Sequence, residues 1–171
     1  SFPTRRSSDL AAGIHADAPA PRRRRMHATL AGIVTEPELR ARHLALSATV
    51  ADEQTLHSLD AAALSAANRG APGAAAELLD LAIGLGGDTP ERHIRAAGHH
   101  LHAANFNEAA TRLIQIIDTL PPGRLGAEAL TLLAKVRTAE ENLAEAIAVL
   151  TRLLAESADD PGRRAHALIL L

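Results

Sequence analysis

The residues of this chain best suited to chemistry are four histidines in one short stretch: His99, His100 and His102, with His93 about two turns earlier. In a helix His99 and His102 share a face at i, i+3, and two imidazoles on one face could begin a metal site. Zinc needs three or four protein ligands, and no Asp, Glu or Cys stands at a suitable spacing in that helix. The spacing therefore reads as a surface or groove-facing polar cluster. Arg22–Arg25 is the densest run of charge and could touch phosphate, but four consecutive residues point all round a helix. A solvated helix start is the simpler reading. His43 falls on an apolar stripe and is expected in the core, bonded to a backbone carbonyl; His27 is expected at the interface of the preceding helix. Neither has a nucleophile or carboxylate partner in the sequence, so nothing supports acid–base catalysis. Glu140-Glu141 and Asp159-Asp160 are expected as caps at helix starts, where the macrodipole favours negative charge.

Phosphate-binding loops are absent too. No Gly-x-x-x-x-Gly-Lys-Ser/Thr occurs, and the only lysine, Lys135, sits inside an apolar helical pattern. No segment combines the turn and basic helix of a major-groove reader. No residue is assigned a catalytic, cofactor-binding or metal-ligating role, and the chain does not read as an enzyme.

What the sequence does carry is a repeat. Phe106–Leu120 matches Leu143–Ser157 without a gap, at an offset of 37 positions from 106 to 143. Phe106, Ala109, Leu113, Ile116 and Ile117 fall on Leu143, Ala146, Leu150, Leu153 and Leu154. A weaker copy begins at Pro72, 34 positions before Phe106, with Ala75, Leu79, Ala82 and Ile83 in the same places. Small residues early in each copy and leucines later, at this period, are the mark of stacked helical hairpins. Each hairpin has too little apolar surface to fold alone, and the alanines let paired helices approach closely.

Helix signals fill in the rest. Ala11–Asp17 is expected as the end of a helix, Asp17–Pro21 as a turn, and Arg22–Val34 as a helix with Met26, Leu30 and Ile33 on one face. Thr35 and Glu38 form a capping-box pattern around Pro37, opening a helix to about Thr49 with Leu39, His43, Leu46 and Val50 on one stripe. The first pair is expected at 52–69 and 72–85, and the second at 90–103 and 106–120. Thr89 and Pro90 open the second pair, and Asn105 and Glu108 are set to cap reciprocally. The third pair is expected at 124–137 and 143–156, with Leu125, Ala129, Leu132, Leu133 and Val136 on its first apolar stripe. Asp160-Pro161 opens a further helix. No stretch alternates with period two, so no strands are expected.

Composition agrees. Alanine and leucine dominate, with one Met, two Phe and no Trp, Tyr or Cys among 171 residues. Such residues favour helix and suit closely packed antiparallel neighbours. The lack of Cys excludes a disulfide scaffold and fits a reducing cytoplasm. A net charge of −2 gives no global field for nucleic acid or an anionic membrane. No apolar run reaches the roughly 20 residues of a membrane helix. Ser1–Leu10, SFPTRRSSDL, resembles a translated sequencing adapter and is set aside as non-native. With Ala167–Leu171 ending on leucines in mid-helix, the chain is expected to be an internal fragment of a longer protein.

The repeats resemble degenerate tetratricopeptide units, whose period is about 34 residues; the tryptophan and tyrosine of that family's first helix are missing. A more specific resemblance lies upstream. Ile14-His15-Ala16-Asp17, Arg22–His27, Leu30-Ala31, Arg42-His43-Leu44-Ala45, Arg69-Gly70-Ala71-Pro72 and Leu120-Pro121-Pro122-Gly123, in this order, are similar to the region following the ATPase module of large ATP-binding LuxR-type transcription regulators. The resemblance covers residues 11–171. It implies residues 11–50 as a helical linker from the end of the ATPase module. Residues 51–171 would be tetratricopeptide-like repeats at about 52–85, 89–120, 122–157 and 160–171, forming an all-α right-handed solenoid. It further implies a sensor segment whose inner helices, around Leu56–Ala67, Ile94–His102 and Leu125–Val136, meet a protein partner or small inducer. ATP and magnesium would belong to a separate ATPase module, and DNA to a C-terminal module. A stand-alone tetratricopeptide adaptor is the alternative reading.

Overall fold

Alanine-rich sequence broken by Pro, Gly and short capping residues dictates a series of short helices, and the computed structural model shows one. It describes residues 19–157 and 160–170. The helices are α1 (Ala20–Ile33), α2 (Pro37–Ser47), α3 (Glu53–Asn68), α4 (Pro72–Gly84), α5 (Pro90–His102), α6 (Phe106–Ile117), α7 (Arg124–Ala139), α8 (Leu143–Glu156) and α9 (Pro161–Leu170). No strand occurs among the described residues. The adapter-like residues 1–10, the helix end expected at Ala11–Asp17 and the cap expected at Asp159 lie outside them.

The helix starts follow local chemistry. Asp52 opens α3 by accepting the Thr55 N–H at 2.8 Å, and Thr89 opens α5 by accepting the Arg92 N–H at 3.3 Å with Pro90 in the first turn. Asp160 accepts the Arg163 N–H at 3.0 Å. Each satisfies a backbone donor that the helix itself leaves unpaired. At α8 the cap is reciprocal: Asn142 accepts the Glu145 N–H at 3.3 Å and donates its own amide to the Glu145 carboxylate at 2.8 Å. The matching pair expected at Asn105 and Glu108 does not form, although Asn105 (φ −89°, ψ 68°) has the backbone of Asn142 (φ −90°, ψ 69°).

Other expectations are corrected. The turn expected to reach Pro21 ends at Pro19, since proline is tolerated in a first helical turn where its missing N–H costs nothing. The box at Thr35 and Glu38 gives way to Glu36 at the cap position, without a side-chain bond. Glu38 instead binds the Arg69 guanidinium of the next pair. Glu140 and Glu141 are not at a helix start. Glu140 ends α7 and Glu141 stands in the turn beyond it. The apolar stripes of the first two helices also change sides. Met26, Ile33, Leu39 and Val50 are exposed, and the buried positions are His27 and Ala31 on α1 and Ala41 and Ala45 on α2. Ala41 and Ala45 pack with alanines and leucines of α3 and α4, and α1 meets α2 through His27 and His43.

Within each pair the helices are joined by one recurrent turn. Gly70, Ala104 and Glu141, with φ of 77°, 59° and 60°, hold the left-handed position at spacings matching the repeat offsets. In each the following N–H reaches back five residues: Ala71 to Ala66, Asn105 to His100, Asn142 to Arg137, at 2.9 to 3.0 Å. This is a Schellman closure, which caps the last carbonyls and folds the chain back on itself. Gly86 (φ 99°) and the Gly87 N–H bond to Ala82 close α4 in the same way. Consecutive helices thus become antiparallel neighbours, and each pair stacks on the next. Ala75, Ala109 and Ala146 are all buried at the helix junctions, as the repeat requires.

The core divides in two. One cluster, from α2 to α5, is built largely of alanine: Ala41, Ala45, Ala62, Ala63, Ala66, Ala75, Ala82 and Ala96 around Leu59, Leu78 and Leu79. The other, from α5 to α9, is built of larger residues, including Ile94, Leu113, Ile116, Ile117, Leu130, Leu133, Val136, Leu150 and Leu153.

Candidate functional site

Packing helices in pairs leaves the first helices of successive pairs side by side, and α5 and α7 touch directly as well as through α6. Between them runs an open groove of about 630 Å³. Its α5 wall is Ile94, Arg95, Gly98, His99 and His102, and its α7 wall is Arg124, Ala127, Glu128, Thr131, Leu132 and Lys135. Both sets recur at i, i+3, i+4 and so form single helical stripes facing each other. Leu153 contributes to the groove from α8, and Gly162 and Arg163 from α9.

Two of the four clustered histidines face this groove, and two do not. His99 is half-buried and His102 exposed. His100 is buried and turns back toward the first pair, donating from Nε2 to Asp80 on α4 at 2.9 Å. His93 is likewise buried, with Nε2 2.7 Å from Asp88. His99 and His102, expected on one face, do share the groove, while His100 and His93 bond carboxylates away from it. Among the described residues, no group of three or more His, Cys, Asp or Glu is placed to hold a metal. His99 titrates below the usual histidine range because burial disfavours the imidazolium, and the charges of Arg95, His102 and His100 add to this.

Ion pairs without a motif in the sequence fasten α5, one wall of the groove, to its other neighbours. Asp60 on α3 accepts from Arg92 Nη2 at 2.8 Å and from Arg95 Nη1 at 2.9 Å. Burial alone would raise the Asp60 carboxyl, but the two guanidinium groups outweigh it and hold it below the usual range. The second arm of Arg92 donates to the Gly87 carbonyl at 2.8 Å, tying the turn between pairs to the same clasp. Asp80 works similarly between α5 and α6, taking His100 and, at 2.9 Å, Arg112. The only legible signal for these contacts was the i, i+3 spacing of Arg92 and Arg95 on α5. The carboxylate they share lies 32 positions before Arg92.

Outside the groove, His43 does not bond a backbone carbonyl. Its ring stacks on His27 with centroids 5.1 Å apart, and the two Nδ1 atoms are 3.0 Å apart, so one donates and the other accepts. His27 is buried between α1 and α2, the interface position expected of it. Arg23 and Arg24 border a separate cleft beside this pair, while Arg22 and Arg25 are exposed. The four therefore point to different sides. Lys135 is exposed on the groove's α7 wall. A second groove, of about 650 Å³, lies between α2 and the Gln54, Ser58, Ala61 and Ser65 face of α3.

The architecture so defined is an all-α array of antiparallel helical hairpins, with open grooves beside the first helices of its pairs. No protein-family model, no curated protein and no solved structure matches the chain. No helix among the described residues is long and apolar enough to cross a membrane.

Proposed function

We propose that the chain is a helical-repeat binding segment that receives a protein partner or small inducer on the face made by its first helices. The observation that carries this reading is the α5–α7 groove. Two facing helical stripes leave an apolar floor and a polar rim open to solvent, while large apolar side chains elsewhere on both helices are used up in the core. Concave sites with an apolar lining and a few polar groups are where ligands bind. The resemblance to ATP-dependent LuxR-type regulators supplies the wider role. Binding here would be relayed to an ATPase module and a DNA-binding module in the same protein. The alternative, a stand-alone adaptor, uses the same groove without either module.

Two measurements test the proposal. The reading frame on either side of this sequence should encode a phosphate-binding loop upstream and a helix-turn-helix downstream; finding neither leaves only the adaptor. For the groove itself, a photo-crosslinking residue at Thr131 should capture a partner in extract of the source organism. The same residue at Ile147, which is exposed but outside the groove lining, should not. Equal capture from both positions would remove the groove from the account.

A further inference from the structure

The charge around the α5–α7 groove is one-sided, although the chain as a whole carries a net charge of −2. Arg95, His99 and His102 on α5, Arg124 and Lys135 on α7 and Arg163 on α9 surround it. Glu128 is the single carboxylate in the lining, and it already takes Arg124 at 3.2 Å. Arg95 and Arg163 share their charge with Asp60 and Asp160, which stand outside the lining. Lys135, His99 and His102 have no ion pair among the described residues. Beneath this rim the floor is apolar, made of Ile94, Ala127, Leu132 and Leu153.

We infer that the occupant is an acidic polypeptide segment with apolar anchors: leucine-like side chains on the floor and carboxylates at the rim. The inference rests on the groove being the binding face proposed above. Charge complementarity of this kind steers association and rejects partners of the wrong sign. An apolar floor rewards a side chain that leaves water. Nucleic acid fits less well, because the lining has no Phe, Tyr or Trp on which successive bases could stack. The histidines add a signature. A carboxylate set beside His99 and His102 favours their charged forms, so the complex takes up protons and tightens as pH falls through the histidine range. The other charged groups facing them are Arg95, Arg124, Glu128, Lys135 and Arg163 in the lining and, behind it, His100, whose charge also acts on His99.

The test is a selection of random peptides of about 12 residues, roughly three helical turns, on the full 171-residue chain. Counter-selection uses Gly98→Trp, which fills the groove from α5. A Cβ at Gly98 meets nothing closer than Leu132 at 3.9 Å, so the wall has room for it. The exposed Lys135→Glu variant serves as a second counter-selector should Gly98→Trp fail to fold. Winners should be net negative with Leu, Ile or Phe at three- or four-residue spacing. A labelled winner should bind Lys135→Glu at least about tenfold more weakly. Its affinity should rise about threefold to tenfold from about pH 7.5 to about pH 6, and that rise should vanish in the His99→Ala, His102→Ala double variant. Neutral or basic winners that still lose binding in Gly98→Trp would overturn the acidic partner and leave the groove standing. If no peptide distinguishes the wild type from either blocked variant, the groove reading falls as well. Displacement of the winner by a short oligothymidylate would assign the rim to nucleic acid instead.

Discussion

The two halves of the core solve the same packing problem with different side chains. In α2 to α5 the interior is mostly alanine, and in α5 to α9 it is mostly leucine, isoleucine and valine. Charged clasps lie over both halves: Arg42 with Glu77, Arg69 with Glu38, and Asp60 with Arg92 and Arg95 in the first, and Arg137 with Glu145 and Arg152 with Asp118 in the second. In the leucine half a groove opens between α5 and α7. The alanine half carries a groove as well, of about 650 Å³, between α2 and α3, lined by Ala41, Ala61 and Ala62 among others.

This contrast can be broken most strongly by removing bulk from the leucine half. Leu113 is fully buried, and Leu113→Ala should cost about 2–5 kcal/mol in denaturant unfolding, because lost transfer energy and a residual cavity add. The alanine half should fail by addition instead. A Cβ on Gly87 would sit 2.8 Å from the Ala82 carbonyl oxygen and 2.7 Å from Leu56. Since the backbone oxygen cannot move aside as a side chain can, Gly87→Ala should cost about 1–3 kcal/mol. A smaller loss, about 1–2 kcal/mol, is expected from Asp60→Asn, measured at neutral pH, as the clasp on Arg92 and Arg95 weakens.

Acid should imitate that last change. The Asp60 carboxyl is held below its unfolded value despite the raising effect of burial, so its contribution is complete above the unfolded pKa. It is lost only as pH falls through the lower folded value. The wild type should therefore lose stability relative to Asp60→Asn below about pH 4, where free aspartate itself protonates. A difference that stayed constant down to about pH 2 would show that the clasp contributes nothing through its charge.

The smallest effect sharpens the comparison rather than breaking it. Gly70, Ala104 and Glu141 hold equivalent left-handed positions, and only the first is glycine. Ala104→Gly and Glu141→Gly should each raise stability by about 0.5–1 kcal/mol by relieving a φ that side chains disfavour. Gly70→Ala should lower it by a similar amount. Thermal melts of the three variants would show whether the turn is interchangeable between the alanine and leucine halves.

Much of the fold was readable from local residues. Pro37, Pro72, Pro90 and Pro161 each stand at the first turn of a helix, and Asp52, Thr89 and Asp160 cap as their types predict. Where reading failed, the information was not local. The stripes of Met26, Leu30 and Ile33 on α1 and of Leu39, His43, Leu46 and Val50 from α2 onward are each periodic, yet periodicity does not say which face meets the neighbouring helix. The histidines divide as helix geometry requires, with His99 and His102 on one face as their i, i+3 spacing predicts. His99, His100 and His102 are close in sequence, but a turn of 100° per residue sends His100 to Asp80 and leaves the other two at the groove.

What the sequence determined by itself was the set of helices, their pairing and the period at which the pairs repeat. Those follow from capping, backbone strain at turns and the 3.6-residue recurrence of apolar side chains, all of which act within a few residues. Only the tertiary structure decided that Asp60 clasps Arg92 and Arg95 and that Glu38 meets Arg69. It also decided that the stripe containing Arg95, His99 and His102 faces the stripe containing Arg124 and Lys135. Each of those outcomes depends on how one hairpin rotates and settles on the next. That is set by the summed packing of many small contacts, which no single stretch of the chain contains.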